Sequence, residues 1–216
     1  ILTTEANGMR PLLWDAQTGH RLPPGSWTRS GPSSTEFSPD LTRVITRPGA
    51  SWVPMPSTKG AASVWDVQSR QRVTELNCGA FASASFSPDG KQIATLDTNR
   101  TSLTARIWDS QTGQLMTGPM LQTVPDPSAT EEKLLNQNAK TFAQFSPDGK
   151  RLLIQSPLGQ RLWNATNGQP LTKLFGFGMD EAQFSPDGNR ILIRRSREVC
   201  VRDAWTGELI SRLPTP

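Results

Sequence analysis

Histidine and cysteine are scarce: one histidine, His20, and two cysteines, Cys78 and Cys200, in 216 residues. A lone histidine and two distant cysteines offer no zinc-type ligand spacing and cannot build a disulfide framework. That scarcity favours a reducing compartment, with a single Cys78–Cys200 pair left open. Long apolar runs are missing as well. None approaches the roughly 20 residues that span a bilayer, so no membrane-crossing helix is expected. Nor is charge of one sign concentrated. The net +4 comes from 23 Lys+Arg against 19 Asp+Glu spread along the chain, unlike the basic face of a nucleic-acid binder, and nucleic acid is not the expected partner. G-x-S-x-G, a Walker-type loop and a calcium loop of alternating acids are all absent, which removes the common signatures of hydrolases, nucleotide-binding enzymes and EF-hands. The chain is therefore read as non-catalytic, with no catalytic residue, no metal and no cofactor. It opens on Ile1 without a basic-then-apolar leader. A cytoplasmic location is the expectation, with any targeting segment lying outside this sequence.

What the sequence does have is repetition, which decides architecture before any local reading. Phe37-Ser38-Pro39-Asp40 recurs at 86–90, 145–149 and 184–188, the last three all reading FSPDG. A second motif alternates with it, at 14–19 (WDAQTG), 65–70 (WDVQSR), 108–113 (WDSQTG), 163–168 (WNATNG) and 202–207 (RDAWTG). The Phe-to-Trp (or Arg202) separations are 28, 22, 18 and 18 residues, and successive second motifs lie 51, 43, 55 and 39 apart. Units near 40 residues with insertions in two of them indicate a propeller or solenoid.

The chemistry of each motif points to strands joined by turns. Proline presets φ, aspartate bonds its own backbone, and glycine accepts φ > 0, so S-P-D-G is a hairpin turn. Leu41 replaces that glycine in the first copy and should strain or widen its turn. Alternating or apolar segments flank each turn: 82–86 and 142–145 before it, 92–96, 151–154 and 190–193 after it. Third strands end at the second motif (62–65, 105–108, 161–163, 199–201), and fourth strands leave it (71–76, 114–116, 170–174, 208–213). A small four-stranded sheet that is apolar on both faces cannot bury them alone, and radial packing of such sheets solves the problem. The expected fold is all-β, a β-propeller of four-stranded antiparallel blades. It has about five repeats, near 1–26, 27–77, 78–121, 140–175 and 176–216, with an insertion at 122–139.

The pairing of FSPDG with WDxxTG resembles the WD40-repeat family, in wording close to its bacterial members. That resemblance covers nearly all of the chain and implies a rigid protein- or peptide-binding platform. The sequence departs from the family at the Gly-His pair that often opens a repeat. Without it the Ser/Thr–His–Trp–Asp hydrogen-bond network of many such repeats cannot form, which shifts the burden towards apolar packing. Arg202 replaces the last Trp, and Asn164 replaces one Asp. The first repeat starts at its second strand and no spare strand follows the fifth. The ring is thus expected to belong to a longer chain, with about seven blades in the commonest form; a five-bladed ring with an incomplete first blade is the alternative. Unclosed ends would expose a strand edge and a blade face, both prone to self-association.

Both turns should fall on one rim, with their Asp residues as turn formers. The opposite rim carries the divergent loops. Trp27, Arg29, Arg47, Trp52, Met55, Arg100, Phe175 and Phe177 are candidate contacts for a partner there, because aromatic and arginine side chains anchor interfaces. Trp27 and Trp52 could instead cap their own blades, and Phe175 and Phe177 could pack locally. Arg194, Arg195 and Arg197 form either a solvated hairpin or a basic spot for an acidic or phosphorylated peptide. In the insertion, Ser128 and Glu131 fit a capping box opening a short helix to about residue 136. FSPDG turns also occur in propellers attached to peptidases, so an accessory or sensing role beside a catalytic domain outside these residues is the second reading.

Overall fold

The computed structural model describes residues 2–4, 11–14, 17–21, 35–46, 62–78, 81–98, 102–123, 141–156, 159–176, 181–194 and 198–214. Among the described residues, seventeen strands are arranged in five antiparallel sheets and no helix occurs. The first sheet pairs β1 (Leu2–Thr4) with β2 (Pro11–Leu13), and Trp14 then bridges Arg21. Next come β3 (Thr35–Phe37), β4 (Arg43–Thr46), β5 (Ala62–Asp66) and β6 (Arg72–Leu76). The third sheet holds β7 (Phe81–Phe86), β8 (Gln92–Thr98), β9 (Ser102–Asp109) and β10 (Met120–Thr123). The fourth holds β11 (Phe142–Phe145), β12 (Arg151–Ser156) and β13 (Gly159–Asn164); the fifth holds β14 (Glu181–Phe184), β15 (Arg190–Arg194), β16 (Glu198–Asp203) and β17 (Leu209–Pro214). Within each sheet the strands follow chain order, so each sheet is an up-and-down meander, the blade expected from the repeats.

The core lies between blades rather than inside one. Ile45, Val64 and Leu76 of the second blade pack with Phe86, Ile93 and Trp108 of the third. Leu96, Leu103 and Ile107 meet Phe145, Leu152 and Ile154 of the fourth, whose Leu153 and Leu162 meet Phe184, Ile191 and Ile193 of the fifth. Burial patterns follow from this order. All six residues of β12 are buried because its blade has a neighbour on both faces. β15 alternates exposed and buried because only one face is packed among the described residues. Leu192 is 40% exposed, whereas its counterparts Ile45, Ala94 and Leu153 are at 0–2%.

The turns form as their chemistry dictates. Gly90, Gly149 and Gly188 sit at φ 69–71°, and Leu41 is forced to φ 60°. Its amide still bonds the Ser38 carbonyl at 2.8 Å, so the turn is strained, not widened.

Two corrections concern outer strands. In the third blade the fourth strand is β10, not 114–116, where Leu115 only bridges Trp108. The Met116 amide bonds the Ile107 carbonyl, the chain then bows outwards through Pro119, which has no N–H, and pairing resumes at Met120 opposite Ala105. The fourth blade repeats the device, its expected strand 170–174 reduced to bridges at Pro170–Trp163 and Phe175–Gln160. Within that bow Thr172 accepts the Leu162 amide through its hydroxyl and the Arg161 Nε–H through its carbonyl. The helix expected near 128–136 lies outside the described residues.

Without histidine, a shorter polar link survives. Trp65 Nε1 donates to Thr46 at 2.9 Å and Trp108 Nε1 donates to Thr95 at 2.8 Å. In the fourth blade Ile154 takes the threonine position, and the buried Trp163 Nε1 has no partner. Thr95→Val keeps the shape and removes the acceptor, so it should cost about 1–2 kcal/mol in urea unfolding. A cost near zero would show that the indole bond contributes nothing to the blade.

Candidate binding surfaces: the rims and the central cavity

Both turns of a blade are fastened to each other. Val67, Ser110, Ala165 and Ala204 each donate their amide to the carbonyl at 42, 91, 150 or 189 in the turn before. One rim is therefore built of paired, stereotyped turns. Their carboxylates are fully engaged. The Ser38, Ser87 and Ser185 hydroxyls, chiefly, hold Asp40, Asp89 and Asp187 below the usual carboxylate range. Amides of Ser69, Thr112 and Thr206 do the same for Asp66, Asp109 and Asp203. Burial pushes Asp148 up, but Ser146, the Lys150 amide and Arg151 outweigh it and the carboxyl ends low. Carboxylates held this way are turn formers with depressed basicity, poorly suited to general acid–base work near neutral pH.

This rim also clasps blade to blade. Arg43 of the second blade donates to Ser110 of the third at 2.6 Å, and Arg151 of the fourth donates to the Ala204 carbonyl of the fifth at 3.1 Å. The Arg151 guanidinium lies 4.0 Å over the Trp205 ring.

At the centre, the first strands of the blades, β3, β7, β11 and β14, line a cavity of about 940 Å³. It extends along the free face of the fifth blade, past Leu192, Arg194 and Val199. The residue before each motif phenylalanine is polar: Glu36, Ser85, Gln144 and Gln183. Two residues earlier stand Ser83, Phe142 and Glu181. Glu36 accepts the Phe86 amide at 3.2 Å, and burial pushes its carboxyl up to about 7 against that bond. Glu181 lies 4.0 Å from Arg194. Ser85 Oγ and Gln144 Oε1 are buried and have no hydrogen-bond partner.

Of the residues expected to meet a partner, two fall in described segments. Phe175 is 9% exposed, paired with Gln160 and beneath Arg202 at 5.1 Å. Arg194 is exposed at the end of β15 and reaches the cavity. Trp27, Arg29, Arg47, Trp52, Met55, Arg100, Phe177, Arg195 and Arg197 lie outside the described residues. The cavity was missed by sequence reasoning, although its signal was present: the polar residue ahead of each FSPD motif.

No protein-family model matches the chain, and no curated protein matches it. Solved structures do. The chain is similar to the Dos1 propeller, with a TM-score of 0.62 and 18% identity over 94% of this chain and 54% of that one. It is also similar to hydrazine synthase of Kuenenia stuttgartiensis, with a TM-score of 0.61 and 17% identity over 96% of this chain and 60% of that one. The chain thus spans less than two thirds of either structure it matches. Meandering four-stranded blades, cores wedged between consecutive sheets, and these likenesses together establish a β-propeller fold.

Proposed function

We propose that the chain is a non-catalytic binding scaffold for a protein or peptide, built on WD40-type blades and engaging its partner away from the turn rim. The observation that carries this reading is the state of the turn carboxylates. Every described Asp of the two repeated motifs is consumed by its own turn, so the most regular acidic residues of the chain are structural. Partner contacts then fall to the divergent loops, with Trp27 and Trp52 as anchors. The test is to isolate a partner from the native host, define its binding segment, and titrate that segment against Trp27→Ala and Trp52→Ala proteins with unchanged circular dichroism. A loss of at least about tenfold is expected for a buried aromatic anchor. Unchanged affinity in both variants would remove the loop rim from the reading.

A further inference from the structure

We propose that copies of this chain associate head to tail, the free face of the fifth blade receiving the first-motif turn of a second copy. This goes beyond the scaffold reading above and does not depend on it.

The junctions between the second, third, fourth and fifth blades are built from recurring parts. At two of them an arginine crosses the turn rim to the next blade, Arg43 to Ser110 and Arg151 to the Ala204 carbonyl. In the middle lies a covered apolar face, where Val64, Leu76, Ala94, Ile107, Met120 and Leu153 are all at 0% exposure. On the outer segment a threonine seats the glycine of the next blade's second motif. A Cβ built on Gly113, Gly168 or Gly207 would lie 3.3–3.4 Å from the Cβ of Thr74, Thr117 or Thr172. Only glycine lets the turn sit this close without displacing its neighbour.

The fifth blade carries the same parts, uncovered among the described residues. Arg190 stands six residues after its motif phenylalanine, as Arg43 and Arg151 do, and is exposed. Leu192 and Leu213, counterparts of Ala94 and Met120, are 40% and 52% exposed. Val199 and Val201, on the strand between them, are half-buried. Ser211 lies opposite Val201 as Thr74 lies opposite Val64, so it is the vacant hydroxyl seat. The matching turn is present in the same sequence. The first motif ends in Gly19, at φ 68° like the seated glycines, and a Cβ there would meet no described atom within 4 Å. Gly19 is exposed, whereas Gly207 is buried in its seat. Both the seat and the turn stay open in one copy, so each is available to a second. An apolar face of this kind marks an association site. Because seat and turn are different surfaces, the contact is heterologous, closing into a ring of copies or extending into a row.

Sedimentation velocity of the whole chain from about 1 to 100 µM should show species heavier than one copy, growing with concentration. Leu192→Glu should weaken association about a hundredfold and Arg190→Ala about tenfold, each with native circular dichroism because both side chains are exposed in the single copy. Leu121→Glu, at an exposed position on the third blade, should leave association unchanged. Cysteine pairs then identify the contact. Gly19→Cys is tolerable because Arg70 holds the equivalent position at φ 62° with a side chain in place. Gly19→Cys and Ser211→Cys proteins, purified apart and mixed under mild oxidation, should form a mixed disulfide, since a seated turn brings those Cβ atoms into bonding range. Cys78 and Cys200 are buried and give no background. A single-copy mass throughout the range overturns the proposal, whether an unlike protein covers the face or nothing does. So do association that survives Leu192→Glu, an equal loss in Leu121→Glu, mixed single variants that never cross-link, or a Gly19→Cys/Ser211→Cys double variant that cross-links only within its own chain.

Discussion

Arg151→Ala should lower the unfolding free energy by about 3 kcal/mol, the largest loss expected from a single substitution on the turn rim. Arg151 is 2% exposed. It bonds the Ala204 carbonyl at 3.1 Å and Asp148 at 3.3 Å, and its guanidinium lies 4.0 Å over Trp205 and 5.7 Å from Phe184. Truncation removes an inter-blade bond, a cation–π contact of about 1 kcal/mol with a half-exposed indole, and the packing of a buried stem. Two facts keep the loss below the upper end for a broken buried ion pair. Asp148 is 38% exposed on its side chain and can return to water, and Arg151 Nε has no partner even in the intact protein. Arg151→Lys keeps the charge but forfeits the planar stacking, so it should recover less than half of the loss. Urea unfolding followed by tryptophan fluorescence measures both. A loss under 1 kcal/mol for the alanine variant would mean that the clasp between the fourth and fifth blades is ornamental.

Much of this architecture was legible in the sequence because it is written in backbone chemistry. Proline, aspartate and glycine at fixed offsets force the two turns, and the turns fix where the strands begin; Phe81–Phe86, Arg151–Ser156 and Arg190–Arg194 fall where the motifs place them. Outer strands were less legible. Their course depends on the burial of Thr117 and on Thr172, whose hydroxyl accepts the Leu162 amide, which no local pattern announces, and so β10 starts later than its turn suggests. Phe175 illustrates the same limit. An aromatic between glycines is open to an anchoring or a packing reading, and its burial beside Gln160 and beneath Arg202 is visible only in the fold. The cavity wall was hidden for another reason. Its polar residues come one per repeat and differ in type, so Glu36, Ser85, Gln144 and Gln183 become a set only after the blades are placed around a common centre.

Glu36→Gln should stabilise the protein at pH 8 by about 2–3 kcal/mol while leaving it within about 1 kcal/mol of the parent at pH 5. The sign follows from which state holds the proton more tightly. The Glu36 carboxyl titrates at about 7 in the folded chain against an ordinary 4.5, because burial disfavours its charge more than the Phe86 amide supports it. Well below pH 4.5 the group is protonated in both states and costs nothing. Between 4.5 and 7 the unfolded chain ionises while the folded chain does not, so stability drains away as pH rises, and the loss is complete above 7. Glutamine has nearly the same shape, keeps a carbonyl oxygen for the Phe86 amide, and cannot ionise, so its advantage appears over that window alone. The turn aspartates have the opposite slope, being held below the usual range, and act at lower pH, which separates the two effects. Urea midpoints of parent and variant at pH 5 and pH 8 decide the matter. A gap that does not widen with pH would show that Glu36 is solvated in the folded protein.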